Sequence, residues 1–426
     1  VSDKLEMNNL EKRKLRALFI ASDKFPPFRV DVSVLFGEEM ISRGHTIDWL
    51  LQSFKPCHSS YEATWQGGQV WVGATDTGTS KLARTRKHLL AIVNDFRMFR
   101  LLRYTQYDLI QVKDKYISAL LAIIAARLYR VKLVYWISFP APEASLYMAK
   151  SGLGRYPMFY LFRGLVLRWL LYHVIIPSAD HVFVQSEQMK KDIAALGVPP
   201  EKLTPVPMGL SLRMFPHEIP RQMSDTCKPH ETVVYLGTLN RNRRLDFLLS
   251  VLTKVLRECP NTTLYFVGDG DEPADRQILE EECARLGIQD AVIFTGFIPR
   301  EEALRYVARA DVCVSPFYPT PILNSTSPTK LIEYMALGKA VVANDHPEQR
   351  LVIEESSGGI CVPYDGQAFA DAIIYLLQNP HHARQMGDCG HRYVVEHRNY
   401  EKISEVVELQ YLKICQRTNP IKISTS

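Results

Sequence analysis

Nowhere do the 426 residues spell GxxxxGK[ST], and no glycine cluster reads as a full GxGxxG. The first absence argues against a P-loop nucleotidase. The second weakens a pyridine-nucleotide oxidoreductase, which needs that fingerprint after a first strand and an acidic ribose ligand about 20 residues on. The eight cysteines (57, 227, 259, 283, 313, 361, 389 and 415) show neither CxxC nor metal-ligand spacing. A zinc module and a disulfide scaffold are thereby excluded, and unpaired thiols in a reducing compartment are expected. Cys/His fingers and basic-aromatic RNA-binding patterns are missing too, so nucleic acid is not an expected partner. The first fourteen residues are polar, so no secretory leader is expected, and the expected location is cytoplasmic. Low-complexity tracts and short repeats are also lacking.

What is present is an ordinary globular composition, 46% hydrophobic and 23% charged, in a chain long enough for two cores. The net charge of +5 conceals an asymmetry: residues 1–215 hold 29 basic and 18 acidic side chains, the remainder 22 and 28. A half at +11 joined to a half at −6 suggests that the first meets something anionic, such as a membrane surface or a phosphorylated acceptor.

Short apolar runs alternate with helix-length segments. In the first half these are LRALFIA (15–21), HTIDWLL (45–51), YDLIQV (107–112), KLVYWI (132–137) and HVFVQS (181–186). In the second they are TVVYLG (232–237), TLYFVG (263–268), AVIFTG (291–296), DVCVSP (311–316) and KAVVAN (339–344). Continuous apolar strands of this kind belong to parallel sheets covered on both faces. The expected fold is therefore α/β, with two Rossmann-like doubly wound domains. The expected domains are 1–212 and 213–394, joined by an aperiodic linker near 210–230. Residues 395–426 are expected to contain a helix returning to the first domain.

The most apolar stretch, PMFYLFRGLVLRWLLYHVII (157–176), contains Arg163, Arg168 and His173. Each arginine costs about 2.5–3.5 kcal/mol at mid-bilayer against about 0.3–0.6 gained per large apolar residue, so a spanning helix is not expected. The three polar positions spread around a helical wheel, which argues against a clean amphipathic anchor. The expectation is a helix half-buried in the first domain and touching lipid. A basic stretch, Lys81, Arg84, Arg86, Lys87, Arg97, Arg100 and Arg103, is either a solvated face or a contact for anionic lipid heads or a lipid diphosphate.

The sharpest local feature is NSTSPTKLIEYMALGKAVVAN (324–344). Ser327 reads as an N-cap and Pro328 as the first helical residue. The turn Asn324-Ser325-Thr326-Ser327 would then offer amides and three hydroxyls at the positive end of a helix dipole, a natural diphosphate site. Glu333, two turns along, could accept both hydroxyls of a ribose. GTLNRNRRLDFLL (237–249) adds Arg241, Arg243 and Arg244 after a strand, where phosphates sit in a doubly wound fold.

In order, ISRGHTIDWL, ADHVFVQSEQMKKDI, PVPMGLSLRMF, YLGTL, LYFVGDGDE, VIFTGFIPREE, ARADVCVSP and SPTKLIEYMALGKAVVA resemble the GT-B retaining glycosyltransferases of family 4. The resemblance covers the second half fully and the first more loosely. It implies two domains facing across a cleft, a nucleoside-diphosphate-sugar donor and no required metal; no DxD-type motif is placed for one, and Asp269 and Asp271 read as structural. Arg243 stands where the family has a phosphate-binding lysine, and with Lys330 and the amides of 325–327 would stabilise the departing diphosphate. Gly237, Thr238 and Gly268 are expected to border the donor. Thr238 replaces a common arginine, for which Arg241 could compensate. Phe297 and Ile298 match the place where backbone meets the nucleobase. Glu333 matches the second glutamate of the family's paired motif, whose first position is Ser325 here.

In the first half the family's glycine pair after the first strand is missing, and Arg29 and Asp31 are expected to serve instead. Lys113 and Asp114 occupy the place of a crevice histidine and are candidate catalytic residues. Trp136, Ser138 and Glu143 are expected to shape an acceptor pocket. The implied reaction is sugar transfer with retention to an acceptor hydroxyl, expected on a lipid-linked glycan in surface polysaccharide assembly, with the protein peripheral on the inner membrane face. A catalytically silent partner subunit would also account for Ser325, Thr238 and the glycine-poor loop.

Overall fold

Each apolar run quoted above contains or overlaps a parallel strand, because strands covered on both faces need apolar side chains at consecutive positions. The computed structural model describes residues 13–76, 78, 80–151, 156–211, 213 and 230–416. Cys227 and most of the expected linker, residues 214–229, lie outside these, as do the side chains of Lys81 and Arg84. The chain divides into two units, Val1–Pro207 with Tyr400–Ser426, and Met208–Asn399.

Among the described residues the first unit carries an eight-stranded sheet, ordered β3-β4-β2-β1-β5-β6-β7-β8. Its strands are β1 Arg16–Phe25, β2 Thr46–Ser53, β3 Tyr61–Trp65, β4 Gly68–Gly73, β5 Leu109–Lys113, β6 Lys132–Ile137, β7 His181–Val184 and β8 Leu203–Pro205. Among its described strands, β3 and β4 pair antiparallel and the rest pair parallel. This hairpin is not among the expected strands: β3 is a largely exposed edge without a continuous apolar run. Gln66 and Gly67, both at positive φ, make its tight turn.

The second unit has a six-stranded, wholly parallel sheet in the order β11-β10-β9-β12-β13-β14. These strands are β9 Glu231–Leu236, β10 Thr262–Val267, β11 Val292–Phe294, β12 Val312–Ser315, β13 Val341–Asn344 and β14 Gly359–Val362. That is the doubly wound order 3-2-1-4-5-6. The unit begins earlier and ends later than the expected 213–394 because its two crossing segments bond each other: Leu210 N donates to Arg398 O at 3.0 Å.

The last helix, Tyr400–Gln416, places Tyr400, Ile403, Val407, Tyr411 and Leu412 in the first unit's core beside Phe19, Trp49 and Trp136. The Tyr411 hydroxyl donates to Gln111 inside that core.

The apolar segment is a helix, Pro157–Trp169, continued by the turn Leu170–Ile175. Gly164 is its buried residue and packs against Leu146 of the helix Ala141–Lys150. Met158, Phe159, Phe162, Leu165 and Trp169 are left exposed on the other side. The inward side is apolar as well, with Tyr160, Leu161 and Leu167 half-buried around Gly164, so what the structure adds is which apolar side faces outward.

Tyr411→Ala should lower unfolding stability by about 3–5 kcal/mol, as expected for emptying a buried aromatic site, measured by urea titration.

Candidate functional site

In each sheet the strand order reverses once, between β1 and β5 in the first and between β9 and β12 in the second. Loops leaving the carboxyl ends at such a point diverge to opposite faces and open a crevice. A buried lysine stands at each reversal, and the two have opposite surroundings.

In the second unit β9 ends at Leu236, and Gly237 follows at φ 140. Gly268, after β10, has φ 138, and a Cβ there would lie 2.3 Å from the Gly237 carbonyl oxygen. Glycine at this position is what lets the two strand ends pack backbone on backbone. Tyr235 donates its hydroxyl to Thr238 O at 3.2 Å, fixing its ring under the turn. Lys330, on the helix Thr329–Ala336, holds Nζ 4.1 Å from the centroid of that ring and 4.9 Å from that of Phe317. The Arg243 guanidinium carbon lies 5.4 Å from the same Phe317 centroid.

Lys330 Nζ is buried without a hydrogen-bond partner. Burial first, then the neighbouring Arg243 charge, pull its pKa well below the usual lysine value. Two cations over shared aromatic faces, one lacking an acceptor, form a site for an anion. Residues 237–243 and 325–330 thus meet around one point, with Arg243 and Lys330 as the converging groups.

Phe317 is placed by Asn344 at the end of β13, whose Oδ1 accepts from Phe317 N at 2.6 Å and whose Nδ2 donates to Phe317 O at 2.9 Å. His346 bonds the Leu323 carbonyl through Nε2 at 2.7 Å, and its Nδ1 accepts from Gln349 N at 3.4 Å. Together these bonds specify the tautomer protonated at Nε2 and tether the turn leading to Ser325. Burial pulls His346 down to about 4.

Glu333 accepts from Arg300 Nη2 at 2.8 Å. Burial raises its pKa, against the opposing pull of Arg300 and Lys330. Phe297 is exposed at 89%, and Ile298 packs partly against the core.

Several expectations for this unit are corrected. Ser327 does not cap the helix. Pro328 occupies the cap with extended backbone, and Ser327 Oγ accepts from Met208 N at 2.9 Å instead. Thr326 spends both its amide and its hydroxyl on Leu323 O, at 2.9 and 2.7 Å. The hydroxyl-lined anion turn is therefore largely closed on itself. Ser325 is buried. Arg241 stands 3.6 Å from Asp275 Oδ1, and Arg244 pairs with Asp246.

In the first unit Lys113 ends β5 with 1% of its side chain exposed, its Nζ 3.4 Å from Asp23 and 3.2 Å from Asp31. The Trp136 centroid lies 4.5 Å beneath it. Arg29 grips Asp31 through two bonds of 3.0 and 2.7 Å. Burial pushes Asp31 up, but Lys113 and Arg29 hold it below the usual carboxylate range. Asp114, at φ 53, accepts from Ser138 N at 2.9 Å and from the Ser138 hydroxyl; burial raises its pKa. Glu143 takes the Tyr172 hydroxyl at 3.1 Å, and its other oxygen is buried without a hydrogen-bond partner.

Arg29, Asp31, Lys113, Asp114 and Ser138 are thus brought together. Lys113 is enclosed, however, and ties its neighbours rather than facing a substrate. Trp136 does not line a pocket: fully buried, it packs on Phe19 and Phe36, because β6 points that side chain into the core. Sequence reasoning missed Asp23, Tyr235, Arg300, Phe317, Asn344 and His346. Most lie at or just beyond the carboxyl end of a strand, which is the signal that could have found them.

Known proteins bear on this geometry. Residues 34–209 match the family model "Glycosyl transferase 4-like domain", and residues 230–379 match "Glycosyl transferases group 1". The chain is 26% identical over 283 residues to alpha-monoglucosyldiacylglycerol synthase of Streptococcus pneumoniae, covering 64% of this chain and 59% of that enzyme. It is 33% identical over 156 residues to phosphatidyl-myo-inositol mannosyltransferase of Mycobacterium tuberculosis, covering 35% and 38%. The matches therefore span less than two thirds of these relatives' lengths. The fold superposes on sucrose-phosphate synthase of Thermosynechococcus elongatus with a TM-score of 0.72 at 20% identity, over 95% of this chain and 100% of that one.

Because His346 binds its proton only near pH 4 when folded and near 6.5 when unfolded, stability should fall as pH drops through that window. Between pH 7 and 4.5 the wild type should lose about 2 kcal/mol more than His346→Gln, measured by urea unfolding at each pH.

Proposed function

The chain belongs to the GT-B glycosyltransferases of family 4, and on that premise we propose that it moves a sugar from a nucleoside diphosphate to a lipid-anchored acceptor hydroxyl, with retention. The observation that carries this reading is the Lys330 ammonium, buried beside Arg243 without a hydrogen-bond acceptor. A diphosphate supplies the missing negative charge, and more of it as the glycosidic bond breaks. Charge that grows along the reaction is what fixed cations in a dry site stabilise best.

In this reading the bond from the anomeric carbon to the phosphate oxygen breaks while the acceptor oxygen attacks the same face. The acceptor proton passes to the departing phosphate. Arg243 and Lys330 hold that phosphate, Glu333, oriented by Arg300, takes the ribose hydroxyls, and the backbone at Phe297 and Ile298 meets the base. Asn344 and His346 hold the Phe317 ring and the turn before Ser325 in register with the two cations. The reading requires no metal, since the two side-chain cations supply the countercharge.

The acceptor belongs to the first unit. Support comes from the +11 charge of residues 1–215, and from two relatives whose names specify a diacylglycerol and a phosphatidylinositol product or substrate. On this reading the protein works at the cytoplasmic membrane face, with a lipid-linked glycan of surface polysaccharide assembly as the proposed acceptor. The paired Arg29–Asp31 and Asp114–Ser138 groups, with Glu143, are the polar groups proposed to meet it. The competing reading, a silent partner subunit, draws on Ser325, Thr238 and the self-bonded 326–327 turn, and requires that no donor nucleotide bind.

Titration calorimetry with UDP and GDP tests this. One of them should bind, and Lys330→Met should weaken it about tenfold to a hundredfold, the range for losing a charge-assisted phosphate contact. A phosphate beside Lys330 favours its charged form, opposing the burial that lowers its pKa, so binding should take up protons over the range where the free side chain is deprotonated, seen as a buffer-dependent enthalpy that Lys330→Met abolishes. Glu333→Ala should weaken the nucleotide while leaving inorganic pyrophosphate binding unchanged. Absence of binding by either nucleotide would favour the silent subunit.

A further inference from the structure

The helix Pro157–Trp169 turns its apolar side away from the protein. Met158, Phe159, Phe162, Leu165, Val166 and Trp169 are 76, 60, 70, 53, 38 and 57% exposed. At about 100° per residue these six span about 120° of arc. Gly164, whose added Cβ would meet Leu146 at 2.8 Å, lies opposite the centre of that arc and marks the packed side. The exposed guanidinium side chains of Arg163 and Arg168 fall on either flank of it. The stretch Pro157–Ser178 is long and apolar enough to cross a membrane, yet few of its residues are buried, Gly164, Leu171, Ile175 and Ile176. A crossing is incompatible with this packing, since one side of the helix is committed to the helix Ala141–Lys150, and Leu171 and Ile175 sit in the core.

An arc of aromatic and aliphatic side chains bordered by cations is the pattern of a helix lying in the plane of a bilayer interface. Charge distinguishes this occupant from a second copy of the chain. A self-complementary contact through the same arc would bring flanking arginines of like sign together, within a half that is already at +11. Anionic headgroups neutralise both flanks. The helix Tyr116–Tyr129, which packs on the continuing turn Leu170–Ile175, exposes a stripe of its own at Ile117, Ile124 and Leu128.

We propose that the outward face of Pro157–Trp169 is an in-plane docking surface for an anionic bilayer, with Phe159, Phe162 and Trp169 entering the acyl boundary and Arg163 and Arg168 meeting the headgroups. This deepens the membrane-facing reading above and rests on it. Docking there would bring the first unit's strand-end polar cluster to a lipid-anchored acceptor without extracting that acceptor from the membrane.

The test uses the full chain and vesicles of phosphatidylcholine with about 30% phosphatidylglycerol, or of phosphatidylcholine alone. Wild-type protein should float with the anionic vesicles, and Phe159→Gln/Phe162→Gln should partition at least about tenfold more weakly. Both side chains are exposed, so the urea midpoint and UDP or GDP binding should not change. Trp169 is the exposed tryptophan among the five, since Trp49 and Trp136 are fully buried and Trp65 and Trp71 half-buried, and its own variant isolates its signal. Its emission should move to the blue on anionic vesicles, and Trp169→Phe should remove that shift. Equal flotation of the double variant and wild type overturns the proposal. So does a protein that binds donor nucleotide but no vesicle, an outcome that spares the donor site. If the wild type elutes as a dimer that the double variant dissolves, without vesicle partition, the surface belongs to a second copy and the proposal fails.

Discussion

A buried ammonium that no hydrogen-bond acceptor reaches sets the terms for the second unit. Moving Lys330 out of water is costly, and Arg243 beside it adds to that cost. Two aromatic faces, Tyr235 and Phe317, recover part of it through their negative π-clouds. Those rings are in turn held by backbone bonds, the first through Thr238 and the second through Asn344. Strand ends, glycine contact and ring placement therefore serve one electrostatic arrangement, which on the proposed reading an anion completes.

The first unit handles the same problem in the opposite way. Lys113 also stands over an aromatic ring at a sheet's reversal point, but Asp23 and Asp31 close on its charge. Asp31 is shared with Arg29, so the loop after β1 is pinned by a chain of alternating charges where relatives of this family bring glycines. A lysine neutralised on two sides holds a loop; a lysine left with another cation attracts a ligand. Fold position alone does not separate these roles, and the neighbouring charges do.

Much of the fold is legible in the sequence because buried parallel strands announce themselves. Runs such as KLVYWI and DVCVSP are apolar at consecutive positions, whereas a half-exposed strand alternates apolar with polar. β3 carries no such run, and those of β4 and β14, Val70–Val72 and Ile360–Val362, are too short to stand out. At the site the discrepancies share one cause. Hydroxyls and guanidinium groups that the sequence offers to a ligand find backbone or carboxylate partners nearer in space. Ser327 bonds Met208, which is 119 positions away, and Arg241 leans toward Asp275.

From sequence alone came the two doubly wound units, the ordered family motifs, and the placing of Lys330, Arg243 and Glu333 near one another, because strand periodicity and motif order are one-dimensional properties. Which cation would be neutralised, and which side of the 157–169 helix would face outward, depended on partners remote in the chain. Charge balance and the direction of a helical face are properties of neighbours in space, so only tertiary packing could decide them.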